Sequence, residues 1–149
     1  MSCNCNNRYR KSVLETCSNT PVTIDPTVAG GVPAVFNTTP TDTGCSIDGQ
    51  TGGAKIRNGG LYEISFDTFV TSAAAGTVKV QLYKDGVPMP CAQDSVTLAA
   101  AATGNMHFST RLEVTCCCAV NPVFTVVFTS TDITALVVNH TALGVVKLA

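Results

Sequence analysis

Apolar and polar residues alternate along several short segments of the chain, and this period of two predicts β-strands. The clearest segment is 61–71, where Tyr62, Ile64 and Phe66 fall on one face. Small residues at 73–76 separate it from a second alternating segment, 77–83. The pattern therefore predicts that these two strands form a hairpin.

The rest of the chain repeats this pattern. Asp85-Gly86 predicts a tight turn from the second strand into a further strand, because both residues tolerate left-handed backbone angles. Phe124 and Phe128 share one face of a segment that is apolar on both sides, which predicts a central strand or an interface strand. Two more antiparallel pairs are predicted: 106–116 with 123–129, and 133–139 with 143–148.

These short strands predict an all-β protein, a two-sheet jelly-roll sandwich. The 149 residues are enough for one compact domain. Residues 1–20 are polar and lack an apolar period, so they are predicted to form an extended, cysteine-containing N-terminal arm. The jelly-roll domain is predicted to occupy residues 21–149.

The composition indicates which partners to expect. Charged residues make up 13% of the chain, about half the usual share, and such a surface favours self-association. A net charge of −1 provides no basic field for nucleic acid. Apolar runs are broken well short of the roughly 20 residues of a membrane-spanning helix, and no signal peptide is expected. We therefore expect neither a nucleic-acid partner nor a membrane partner.

Two segments carry a family resemblance. Residues 60–64, Gly-Leu-Tyr-Glu-Ile, and 78–86, a valine-rich strand ending in Asp-Gly, resemble the tumour-necrosis-factor-like jelly rolls, including the globular complement heads. The resemblance implies a homotrimer packed through aromatic and aliphatic faces. For a phage or bacterial protein, the resemblance implies a virion decoration, a fibre head or a spore-surface protein. The residues expected to pack in the trimer or the core are Tyr62, Ile64, Phe66, Phe124 and Phe128.

Eight cysteines are many for a chain of this length. Their spacing, and that of His107 and His140, does not match a closed zinc site, so no metal is expected. Two interpretations stay open: disulfides between subunits or to a partner protein, or small buried side chains in a reduced protein. The candidate cross-linking residues are Cys3, Cys5, Cys17, Cys116, Cys117 and Cys118.

No motif for catalysis or for a cofactor is present, so the chain is not expected to be an enzyme. The first hypothesis is a trimeric decoration or fibre-head protein on a bacteriophage virion surface, attached to a capsid or other particle-surface protein through the N-terminal arm. The second is a spore-surface or appendage subunit cross-linked by disulfides. The third is a glycan- or protein-binding module that uses predicted loops at 42–53 and 88–105.

Overall fold

The computed structural model describes residues 11–115 and 121–149, and no helix occurs among them. The described chain is built of twelve strands. They are β1 (Val13–Ser18), β2 (Val22–Ile24), β3 (Val32–Pro33), β4 (Thr38–Thr43), β5 (Ile47–Gln50), β6 (Gly53–Ile56), β7 (Gly60–Ser72), β8 (Gly76–Lys84), β9 (Val87–Leu98), β10 (Ala102–Val114), β11 (Val123–Ser130) and β12 (Leu136–Lys147).

The strands form two antiparallel sheets that pack face to face. Sheet A has the order β10-β7-β12-β1-β4, with β2 also paired to β12. Sheet B has the order β5-β6-β11-β8-β9, with β3 also paired to β11. From β7 onwards the chain crosses repeatedly between the sheets. This architecture confirms the predicted all-β, two-sheet jelly-roll sandwich.

The predicted strand partners are wrong in three places. β7 and β8 lie in opposite sheets, so the small residues between them carry the chain across the sandwich. β10 and β11 are likewise in opposite sheets, and the predicted final pair is the single strand β12. The physical reason is that two apolar strand faces can be buried by facing each other across a sandwich as well as by lying side by side.

The Asp-Gly turn is a correct prediction. Asp85 has φ of 49° and Gly86 has φ of 81°, as a two-residue hairpin turn requires, and Lys84 pairs with Val87 across it. The Asp85 side chain also accepts a hydrogen bond from the Val123 backbone N–H at 2.9 Å. The turn therefore joins β8 to β9 and ties both to the start of β11.

The predicted boundary at residue 20 has to be corrected. β1 lies within the range assigned to the arm, and it pairs with β12 on one side and with β4 on the other. Leu14 is fully buried in the core, whereas its inward-facing neighbours Thr16 and Ser18 are polar, which hid the strand from a hydrophobic pattern. The jelly roll thus includes residue 13, and residues 1–10 lie outside the described residues.

The core lies between the two sheets. Phe66 is at its centre, with ring centroids of Phe36, Phe108 and Phe128 at 6.2, 5.6 and 6.2 Å. All five side chains expected to pack in the trimer or the core are buried here, at 1% exposure or less. Since they point into the sandwich, they are not available on its surface to another subunit.

Candidate functional site

The outward face of sheet A is the candidate site. Along β7 the side chains alternate, so that the buried residues point into the core and Glu63, Ser65, Asp67 and Phe69 point away from it. β10, β12, β1 and β4 continue this surface on either side. We call the outward-pointing side chains of these five strands the sheet A face.

A bulge in β12 determines one part of this face. The pairing of β12 with β7 shifts between Val138 and His140, so Asn139 is an extra residue. The Asn139 side chain donates a hydrogen bond to Thr71 Oγ1 at 2.9 Å, on the outward side. His140 points outward as well, whereas uninterrupted alternation from Val138 would have turned it inward.

Two histidines and one aspartate lie side by side across three strands, and we call them the His-Asp row. His140 Nε2 is 3.4 Å from Asp67 Oδ1, and His140 Nδ1 is 2.6 Å from Asn19 Oδ1. The imidazole also packs on Phe69, with ring centroids 5.8 Å apart. His107 on β10 is directly opposite Asp67 in the strand register. Asp67 is therefore flanked by a histidine on each of the two neighbouring strands.

The charge on the sheet A face is predominantly negative. Its outward carboxylates are Glu15, Glu63, Asp67 and Glu113, and Arg111 is its outward guanidinium. Arg111 Nε is 3.0 Å from Glu63 Oε2, and this exposed pair contributes little stability. The remaining carboxylates leave the face acidic when the histidines are neutral.

A shallow depression of about 320 Å³ lies in the middle of the face. Small residues on the central strands line it, among them Ser65, Ala142 and Gly144. A Cβ atom placed on Gly144 would come within 3.1 Å of Ser65 Oγ, so the glycine keeps the depression open. Glu15 and His107 are at its sides. Its size and its open shape suit a side chain of another protein.

The depression does not assemble a nucleophile with a base. Cys17 on β1 is directly opposite Ala142, which is opposite Asp67, which is opposite His107. Three strand spacings therefore separate the thiol from the imidazole, a distance of about 14 Å. Among residues 11–115 and 121–149, no group of three or more His, Cys, Asp or Glu side chains could hold a metal ion.

The described cysteines occupy different places. Cys17 is half-buried on the sheet A face, and Cys91 is exposed on β9, where the sequence had indicated a loop; neither forms a disulfide within the described residues. Cys45 is in the loop after β4, as expected. The other candidates, Cys3, Cys5, Cys116, Cys117 and Cys118, lie outside the described residues.

The end of the sandwich at which β1 begins brings several segments together. The Ser46 backbone N–H donates to Ser12 Oγ at 3.1 Å, and Arg57 N–H donates to the Ser46 carbonyl at 2.8 Å. The adjacent Ile56 N–H donates to the Pro122 carbonyl at 3.0 Å. The points where residues 1–10 and 116–120 join the described chain are therefore near the Cys45 loop.

Tyr62 closes the core at this end. Its hydroxyl donates a hydrogen bond to the Asn58 carbonyl at 2.6 Å, and the Asn58 amide donates to Ser46 Oγ at 3.1 Å. Burial raises the pKa of the Tyr62 hydroxyl above its ordinary value. The hydroxyl is therefore neutral and acts as a donor in this network.

The strand order, the antiparallel pairing and the buried aromatic centre define a TNF/C1q-like jelly roll. The solved structures that resemble it include murine APRIL at pH 5.0, with a TM-score of 0.68 and 12% identity over 93% of this chain and 100% of that chain. The globular domain of zebrafish complement 1qA matches with a TM-score of 0.61 and 13% identity, over 93% and 98%. The PRD1 vertex protein P5 matches with a TM-score of 0.56 and 14% identity, over 93% and 97%.

The resemblance seen in the sequence is thus confirmed for the fold. No protein-family model matches the chain, and no curated protein matches it in sequence. Within the part of the chain that the structure describes, no helix is long and apolar enough to cross a membrane.

Two features of the site escaped the sequence analysis. The first is the outward position of His140, and the second is the depression. A signal for the first was present: apolar side chains alternate at 136 and 138 but at 143 and 145 afterwards, and this change of parity indicates a bulge. No local signal marks the depression, because its lining comes from separate strands.

Proposed function

We propose that the protein is a structural surface protein that assembles into a homotrimer through the sheet A face and decorates a bacteriophage virion or forms a fibre head. The fold supports a role at a surface, since jelly rolls similar to it include a complement head and the PRD1 vertex protein P5. The trimer, the virion and the capsid partner are parts of the proposal. The proposal includes no catalytic activity and no cofactor.

The observation that carries the proposal is the exposed apolar surface on sheet A. The Phe69 side chain is 48% exposed in a regular strand, and Leu61 at the start of the same strand is 38% exposed. Aromatic residues are enriched in the cores of protein interfaces, where they fill pockets on the partner. The open depression beside Asp67 offers such a pocket. The face thus provides both a projection and a recess for a second copy.

The test compares two exposed apolar residues. Phe69→Glu places a charge on the sheet A face and is expected to shift the protein from trimer to monomer in analytical ultracentrifugation. Val87→Glu makes the same kind of change at the β8–β9 turn, where Val87 is 64% exposed, and is expected to leave the trimer intact. Equal behaviour of the two variants would contradict assembly through this face.

Attachment is assigned to residues 1–10, which precede β1. Deleting them is expected to leave the trimer intact, because β1 and the core are retained, and to abolish incorporation into phage particles. Mass spectrometry of purified particles measures incorporation. Absence of the full-length protein from such particles would exclude the virion role.

A spore-surface or appendage subunit is the second candidate, and the crowded end of the sandwich favours it. Residues 1–10 and residues 116–120 both join the described chain at this end, so their cysteines could cross-link neighbouring subunits. A Cys3→Ser, Cys5→Ser variant is expected to lose reductant-sensitive multimers on a gel run without reductant. Cys91→Ser is the matched control, because Cys91 is an exposed cysteine on β9 that belongs to none of these segments. Monomer alone in the wild-type assembly would contradict cross-linking.

The binding-module hypothesis loses its structural basis. The segments 42–53 and 88–105, which the sequence had indicated as long loops, are largely strands. β5 and β6 form a hairpin in the first segment, and β9 with the start of β10 fills most of the second. Neither segment provides the long loop that a glycan site was expected to use.

A further inference from the structure

We infer that association through the sheet A face is tightened by protons taken up at the His-Asp row. This inference rests on the proposed homotrimer. It adds a regulator to the same face: each subunit carries two imidazoles beside a carboxylate, on the surface that meets the next copy.

His140 has an oxygen atom beside each of its two ring nitrogens. Asn19 Oδ1 is 2.6 Å from Nδ1, and Asp67 Oδ1 is 3.4 Å from Nε2, so each ring nitrogen has an oxygen acceptor beside it. An imidazolium donates through both nitrogens, whereas a neutral ring donates through only one. The charged ring therefore satisfies both oxygens at once.

His107 extends the row on the other side of Asp67. It is directly opposite Asp67 on the outward face, so the two Cβ atoms are about 5 Å apart. His107 is exposed and also lines the central depression. The burial of that depression by a second copy would enclose both His107 and the carboxylate.

The other charged groups on the face determine whether proton uptake strengthens or weakens association of the subunits. β7 contributes Glu63 and Asp67, β10 contributes Arg111 and Glu113, and β1 contributes Glu15 and the Cys17 thiol. The outward residues of β4 and β2 opposite β1 and β12 are threonines, which do not titrate: Thr38, Thr41, Thr43 and Thr23. β9 lies beside β10 and adds the Asp94 carboxylate, which accepts a hydrogen bond from the His107 backbone N–H at 2.9 Å.

With neutral histidines, carboxylates outnumber guanidinium groups on this face, and bringing copies together concentrates like charge. Protonation of His107 and His140 offsets part of that charge. Imidazole side chains commonly change charge between about pH 5 and 8. The association reaction therefore binds protons, and its equilibrium constant rises as the pH falls through this range.

The experiment measures trimer dissociation by sedimentation equilibrium at several protein concentrations. For the wild type, we expect the trimer dissociation constant to be lower at about pH 5.5 than at about pH 8, by roughly tenfold or more. The His107→Gln, His140→Gln double variant keeps neutral polar side chains and is expected to change less than about twofold between the two conditions. Thermal unfolding followed by circular dichroism verifies that it is folded.

Two single variants sharpen the result. Asp67→Asn removes the central carboxylate, so it is expected to strengthen association at the higher pH and to reduce the pH dependence. Lys79→Gln changes one charge on the outward side of sheet B and is expected to keep the full wild-type dependence. If Lys79→Gln lost the dependence as completely as the histidine variant, the His-Asp row would not be its source.

The outcomes separate this inference from the proposed function. A wild-type trimer with the same dissociation constant at both pH values overturns proton control and leaves the trimer standing. A wild-type monomer at every pH and concentration overturns the proposed trimer, and the inference falls with it. A trimer that is tighter at the lower pH, with the dependence lost in the double histidine variant, supports both.

Discussion

The outward faces of the two sheets differ in how far the chain covers them. On sheet B, Gln81 in β8 and Val127 in β11 point outward, yet they are only 7% and 6% exposed. Gln81 donates a hydrogen bond to the Met89 carbonyl at 3.0 Å, and the loop at Gly31 packs against Val127. On sheet A, Phe69 occupies a comparable outward position and is nearly half exposed. Among the described residues, sheet A is therefore the less covered of the two at these positions, and it is the sheet proposed for assembly.

The largest predicted effect distinguishes the inside of sheet A from its outside. Phe66→Ala removes the ring at the centre of the core and is expected to lower the free energy of unfolding by about 3–5 kcal/mol. Phe69→Ala, three residues along the same strand, is expected to lower it by less than about 1 kcal/mol because its ring is already half exposed. Urea unfolding of the two variants measures the difference. Equal losses would mean that the face and the core are not distinct.

The second prediction compares two glycines, one on the outward side of each sheet. Gly31 has φ of +74°, and a Cβ there would meet the Phe128 carbonyl at 2.6 Å, so Gly31→Ala is expected to destabilise the protein by about 2 kcal/mol. Gly144→Ala meets only Ser65 Oγ at 3.1 Å and is expected to change stability by less than about 1 kcal/mol.

Gly144→Ala also partly fills the depression on sheet A. We therefore expect it to weaken the trimer, whereas Gly31→Ala should affect folding first. Thermal melts and sedimentation of both variants distinguish the two effects. A Gly144→Ala protein with unchanged trimer stability would show that the depression is not part of the contact.

The last prediction concerns the edge at which the two sheets meet. Asp94 on β9 accepts a hydrogen bond from the backbone N–H of His107 on β10 at 2.9 Å, and so satisfies a donor on an open strand edge. Asp94→Ala is expected to cost about 1–2 kcal/mol, since a hydrogen bond to a charged group is lost. Chemical denaturation measures the loss, and hydrogen exchange at the His107 amide localises it. Unchanged exchange there would contradict this role.

Local patterns predicted several strands of this protein but not their partners. Alternation identified most of β7 and the inward side chains Tyr62, Ile64 and Phe66, and the Asp-Gly pair predicted the β8–β9 turn. β1 was missed because only Leu14 among its inward side chains is strongly apolar. The candidate site was predicted least well: Cys17 was named for cross-linking, but His140, Asp67 and Phe69 were not recognised as neighbours.

The sequence by itself determined that apolar side chains such as Tyr62, Ile64 and Phe66 are buried and where the β8–β9 turn lies, because alternation and turn chemistry act over only a few neighbouring residues. The tertiary structure decided which strands pair, since an apolar face can be buried either beside another strand or across a sandwich. It also decided that a bulge at Asn139 turns His140 toward Asp67, and that Gln81 and Val127 on sheet B are covered whereas Phe69 on sheet A is nearly half exposed. These features depend on contacts between residues far apart in the chain, which no local pattern specifies.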